Sequence, residues 1–254
     1  SHTIFYIVDG VQASQTIDIT ASPFSNVYSF EFDGVDEFFT TGLSLAYTAV
    51  PNLTLSCWIK VDKTLLNNFS DFYPIGVRAN ASANGSPIRI IKQGATSVLR
   101  VCIQGQGGTT FSTSELGDNQ WHHVLQTIQY DAGGTICNVY VDGTKEITDK
   151  LLNTYGPLTD NLFLGKRGTF GKFWRGQVDE VSVFNSVLSQ TDINTIYGTG
   201  SPTNIASLNP LAWYRMGEEA AFSGGNWTLT DKGSGGNNAT SNNMEEADRK
   251  ADTP

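Results

Sequence analysis

Three groups of residues in this chain could do chemistry. The first are aspartates beside glycine turns: Asp33-Gly34, the run Gly176 to Asp179, and Asp231 with Gly233 and Gly235. A carboxylate next to the open carbonyls of a Gly-rich turn offers the oxygen donors that calcium collects about six to eight at a time. Such aspartates are equally common as simple turn formers that cap local N–H groups. The second group is Glu31, Asp33 and Asp36 in EFDGVD. Alternate acids on a strand can aim two carboxylates into one cleft for glycoside hydrolysis. Here Gly34 interrupts the strand and the last acid is the shorter Asp, so the fit is poor. The third group is aromatic residues interleaved with cations and amides in two polar stretches. One carries Tyr73 and Arg78, the other Phe170, Phe173, Trp174 and Arg175. Stacking rings with guanidinium and amide partners suit a glycan, and the same residue types form protein hot spots. Trp174 lies between glycines and cations, which predicts an exposed ring at an interface.

Other chemistries are poorly served. No G-x-S-x-G elbow occurs. His122 and His123 are neighbours, which is not chelate spacing for zinc, and strand alternation sends them to opposite faces. Cys57, Cys102 and Cys137 each sit in an apolar run, and their odd number predicts buried free thiols and a reducing compartment. A net charge of −9 without a basic stripe argues against nucleic acid as a partner. No apolar run reaches the roughly 18 residues that would suggest a membrane-spanning helix. No basic-then-apolar leader opens the sequence, so no signal peptide is expected.

The elements that must position these groups read as strands. The chain has 26 glycines, 14 Phe, 9 Tyr and 5 Trp, with only 16% charged residues. That composition suits a β-sandwich with many turns. Residues 3–20 read as two short strands around Asp9-Gly10. In LTLSCWIKVD, Leu53, Leu55, Cys57, Ile59 and Val61 face one way and Trp58 the other. In VDEVSVF, alternation puts Val178, Glu180, Ser182 and Phe184 on one face, and Asp179, Val181 and Val183 on the other. Strands recur about every 8–12 residues with turn residues between them, the rhythm of a sandwich or barrel. One short helix is predicted over 189–197, with Ser189 as N-cap and Asp192 as its capping-box partner. Trp58, Trp121 and Trp213 are expected in the core, and the polar tail NNMEEADRKADTP is expected to fray.

Three pieces carry a family resemblance: FEFDGVDEFFTTG at 30–42, WHHVLQTIQYDAGGTICNVYVDGTKE at 121–146, and the LGKR…VDEVSVFN…LSQTDI order over 160–197. Together they resemble the laminin-G-like domain, an all-β, two-sheet antiparallel jelly-roll β-sandwich of the concanavalin-A-like type. The resemblance implies a structural Ca2+ that pins an early strand to the VDEV strand, with Asp179 as a side-chain ligand and Asp33 and Asp231 as further candidates. The segment LAWYRMGEE…TDKGSGGNNAT resembles the opening of such a domain, yet stands near the end of this chain. The expected organisation is an N-terminal attachment segment (1–27), a jelly roll (28–200) and a C-terminal segment (201–254) that completes the same sandwich. The alternative is that 201–254 begins another domain.

The same C-terminal pattern is similar to virion proteins of marine bacteriophages. That resemblance implies a non-catalytic structural, decoration or host-recognition protein of the virion, assembled in the bacterial cytoplasm. Its partners would be other virion proteins or itself as a homo-oligomer, with host surface glycans as ligands. A secreted carbohydrate-binding or adhesin module, which would be extracellular, and an endo-β-glucanase are the alternatives.

Overall fold

The structure, a computed structural model, describes the chain apart from residues 1, 9–10, 18–23, 46–51, 67–70, 78–87, 94–97, 106, 132–133, 152–160 and 169–171. Its centre is the strand Asn52–Asp62. Leu53, Leu55, Cys57, Ile59 and Val61 bury against the main core, as their alternation requires. Antiparallel neighbours on both sides place this strand in the middle of an eight-stranded sheet. Asp118–Asp131, Gly134–Val141 and Thr144–Leu151 extend it in one direction. Arg175–Phe184, Ser29–Asp33 and Arg249–Lys250 extend it in the other. A six-stranded sheet faces it, in the order Ala221–Ser223, Asn226–Leu229, Ala239–Asn242, Phe38–Ser44, Asn161–Leu164, Ile75–Val77. The inward residues of both sheets form one core. Phe30 meets Phe39 and Trp227 edge-on, each with ring centroids 5.1 Å apart, the geometry that aromatic quadrupoles favour. A four-stranded sheet contributes Phe72, Ile90, Leu99 and Val101 to the same core.

The helix runs from Gln190 to Tyr197, with the expected reciprocal capping box between Ser189 and Asp192 and a left-handed cap at Gly198. It lies on the outer face of the eight-stranded sheet. There Ile193 and Ile196 join Leu125, Tyr140, Phe184, Ile205 and Trp213 in a second, smaller core. Trp213 is therefore buried outside the main core, and Trp58 is likewise buried on this outer side, stacked on Tyr197 at 5.7 Å. Trp121 is only partly buried.

Residues 201–254 add strands to both sheets. Ala212–Tyr214 pairs with Val181–Val183, Ala239–Asn242 with Phe38–Thr41, and Arg249–Lys250 with Ser29–Phe30. The expectation of a frayed tail is corrected here. Its polar side chains are the anchors: Asp252 accepts from Lys60 Nζ at 2.7 Å, Trp121 Nε1 at 3.1 Å and Gln177 Nε2 at 3.1 Å. Met244 is buried in the main core. At the other end, His2–Val8 and Val11–Ile17 form an antiparallel hairpin that pairs with no other strand among the described residues.

Candidate functional site

The strand Arg175–Phe184 departs from strict alternation, and that departure builds the site. Opposite Asn52–Asp62, Asp179 pairs with Trp58 and Ser182 with Ser56, so the strand carries one extra residue between them. This is a β-bulge, and Glu180 within it has φ +46, a left-handed conformation that costs a non-glycine residue about 1 kcal/mol or more. The bulge corrects the alternation expected from sequence. Val178, Val181 and Val183 all face the main core, while Asp179 and Glu180 turn together away from it. Asp179 is fully buried and Glu180 is 5% exposed.

Glu218, on the strand Met216–Glu219, completes the group. One oxygen from each of Asp179, Glu180 and Glu218 lies within 4.8 Å of the others. The N-terminal connector closes over them. Glu218 Oε1 accepts the backbone N–H of Tyr28 at 2.9 Å, and Asn26 Nδ2 donates to Asp179 Oδ2 at 2.9 Å. Gly217 permits this closeness, because a Cβ there would stand 2.4 Å from Tyr28 Cβ. Two buried oxygens, Glu218 Oε2 and Asn26 Oδ1, have no donor among the described residues.

Electrostatically the cluster is short of positive charge. Burial first, and then the Glu180 carboxylate, push the Asp179 carboxyl well above the usual range. Burial raises Glu180 to about 7, against the opposing pull of Arg215. Arg215 Nε pairs with Glu180 at 3.1 Å, and Trp213 Nε1 donates to Glu180 at 2.6 Å. Three carboxylates converge with the Asn26 amide against them, two buried oxygens are orphaned, and a single guanidinium offsets the charge. This donor set fits a hard divalent cation of the calcium type.

The other predicted ligands do not join this cluster. Asp33 Oδ1 accepts the N–H of Val35 at 2.7 Å and closes a local turn. Asp231 accepts from the N–H groups of Trp213 (2.8 Å), Gly233 (2.8 Å) and Asn237 (2.7 Å), which occupies both its oxygens in shaping the 231–237 loop. The glucanase spacing is likewise absorbed, since Glu31 pairs with Lys250 at 3.0 Å across the sheet edge. His123 is buried with Nε2 2.7 Å from Ser56 Oγ, and burial drops its pKa to about 4. Ser56 has no exposed surface, so this pair is a core contact.

The aromatic expectations divide. Trp174 is fully buried in the main core rather than exposed, and Tyr73 is also fully buried, with the Arg167 guanidinium 5.3 Å from its ring centre. Local polarity misled the sequence reading because a single ring can turn inward from a glycine-rich loop. Arg175 is exposed at the edge, beside Asp33. Arg78 and Phe170 lie outside the described residues. Phe173 is partly exposed and belongs to a platform the sequence did not assemble. It meets Phe38 (6.2 Å), which meets Phe163 (6.0 Å), on the outer face of the six-stranded sheet. Lys166 Nζ sits 3.8 Å from the Phe38 ring centre and within 5.4 to 5.6 Å of the other two. Beside the rings, Asn242 Nδ2 donates to Thr40 Oγ1 at 3.1 Å.

The family model described as the concanavalin A-like lectin/glucanases superfamily, of laminin-G type, matches residues 33–194, more than half of the chain. Comparison with the curated proteins finds no match. Among solved structures, a candidate carbohydrate-binding protein from Bacteroides ovatus superposes with a TM-score of 0.60 at 18% identity. The match covers 94% of this chain and 66% of that one. A heptameric SAP-like pentraxin from Limulus polyphemus gives 0.49 at 15% identity, covering 72% and 84%. A Trypanosoma rangeli sialidase gives 0.45 at 19% identity, covering 66% and 27%.

Proposed function

This chain belongs to the concanavalin A-like lectin/glucanase superfamily, and we propose that it is a non-catalytic glycan-recognition module stapled by a calcium ion. The observation that carries the glycan reading is the platform of Phe38, Phe163 and Phe173. Partly exposed rings inclined to one another on a sheet face, with the Lys166 ammonium over Phe38 and the Thr40–Asn242 pair alongside, offer a sugar both apolar ring surface and polar partners. Its C–H face stacks on aromatics while its hydroxyls meet fixed amide and hydroxyl groups. The Bacteroides ovatus neighbour, itself a candidate carbohydrate-binding protein, supports the same reading. The test is a printed array of defined oligosaccharides probed with the protein and with a Phe38→Ala/Phe163→Ala variant. Binding that the double substitution removes is expected. An array on which the unaltered protein binds nothing contradicts the proposal.

Asp179, Glu180, Glu218 and Asn26 would hold the calcium, which would supply charge compensation and tie the N-terminal connector and the C-terminal segment to the central sheet. We place the module on a bacteriophage virion, as a homo-oligomer. The buried free thiols Cys57 and Cys137 support assembly in a reducing compartment. Peptides of this chain in density-purified particles, and a mass by light scattering above 27.6 kDa, are the expected results; particles without the chain, or a monomeric mass, contradict the placement.

A further inference from the structure

Beside the acidic cluster, on the outer side of the eight-stranded sheet and so away from the aromatic platform, lies a cleft of about 580 Å³. Its size suits one or two sugar rings, within the range of small-molecule sites. It is lined chiefly by the connector 24–28 and by the C-terminal segment.

Its walls are fixed before any ligand arrives. Phe24 stacks on Trp213 at 6.3 Å with the rings 15° apart. The Arg215 guanidinium lies over Phe24 at 4.3 Å, is anchored through Nε to Glu180, and donates through Nη2 to the Ser25 carbonyl. A guanidinium held this way presents its remaining donors without further loss of side-chain entropy. On the rim, Lys232 and Glu219 form an exposed pair at 3.0 Å. Asn204 uses Oδ1 to accept the Ala206 N–H at 3.0 Å, which leaves its amide donors available. The Tyr28 ring forms another part of the wall, backed by Arg249 at 4.5 Å.

The charges narrow the ligand class. Both cations of the lining are already paired, Arg215 with Glu180 and Lys232 with Glu219, so neither is free to draw an anion into the cleft. Alternating donors and acceptors around two ring faces suit a neutral polyol, because each hydroxyl donates once and accepts from a neighbour. Glu218 belongs both to this lining and to the acidic cluster.

We propose that this cleft is a second saccharide-binding site, distinct from the Phe38–Phe163–Phe173 platform. The proposal rests on the glycan-recognition reading, and its test separates the two. The same oligosaccharide array is probed with three proteins: the unaltered chain, Phe38→Ala/Phe163→Ala, and Tyr28→Ala/Asn204→Asp. Asn204→Asp alone is run in parallel, since it keeps the Oδ1 acceptor for Ala206 and exchanges the amide donors for a second, charged acceptor oxygen. A subset of glycans should lose at least tenfold in signal with the cleft variants while the platform variant retains them. Cleft variants that reproduce the unaltered pattern overturn the second site and leave the platform standing. An unaltered protein that binds no glycan overturns both.

Discussion

Replacing Asp179 with asparagine should stabilise the metal-free protein and abolish its response to calcium. Three carboxylate oxygens lie within 4.8 Å of one another, with Arg215 as the compensating charge. At that separation and an effective dielectric of about 20, each like-charge contact costs roughly 3 kcal/mol. Asparagine keeps one oxygen to accept from the Asn26 amide but turns its NH2 toward the Glu180 N–H and loses that contact, worth about 1 kcal/mol. Asp179 faces two such carboxylates, but its raised pKa and that of Glu180 leave the cluster partly protonated, so about one full contact is relieved. The net gain is about 2 kcal/mol, or roughly 4–8 °C in melting temperature for a chain of this size. Calcium at about a hundred times its Kd should add about 2.7 kcal/mol to the unaltered protein, a rise of roughly 5–10 °C, and almost nothing to the variant. The assay is differential scanning calorimetry at pH 8, with EDTA and with calcium. A variant that melts lower than the unaltered protein in EDTA, or that keeps the calcium shift, refutes the reasoning.

Four further outcomes follow from the same contacts. Glu180 rises from an ordinary 4.5 to about 7, so the folded state holds its proton more tightly than the unfolded chain. Its stabilising effect is complete below pH 4.5 and is lost as pH rises through 7, about 3 kcal/mol by linkage; metal-free melting temperature should fall over that window, and a flat profile from pH 5 to 8 contradicts it. Trp174→Ala should cost about 3–5 kcal/mol in urea unfolding, because the ring is core; a loss of binding at unchanged stability would return Trp174 to the surface. Asp252→Ala should release the last strand, seen as faster proteolysis after Arg249 or Lys250, at a cost of about 1 kcal/mol given the partly exposed Lys60 pair. Ending the chain after Gly200 removes strands from both sheets together with Trp213 and Trp227, so no cooperative melt is expected.

Much of the fold was legible because it rests on alternation and capping. LTLSCWIKVD became the central strand with the predicted residues inward, and Ser189-x-x-Asp192 capped the helix as its spacing requires. The site was harder to see for two physical reasons. The bulge at Glu180 has no residue signature, since a charged side chain occupies a backbone conformation that usually marks glycine. Once the register slips, Asp179 and Glu180 share a face that period-two counting keeps apart. Second, the partners are remote in sequence. Asn26 meets Asp179 across 153 positions, and Phe38 meets Phe163 only because their strands pair. Phe163 alternates with the buried Leu162 and Leu164 along its own strand, but nothing local says which strand lies next to it. Trp174 failed in the opposite sense, as loop composition says little about where one large ring points.

The most direct test of the account is isothermal titration calorimetry of the strongest platform-dependent array glycan into the unaltered protein and into Phe163→Ala. The account predicts saturable binding that weakens tenfold or more with the substitution while the melting temperature changes little. Equal affinity for the two proteins, or no saturable heat from the unaltered one, would contradict it.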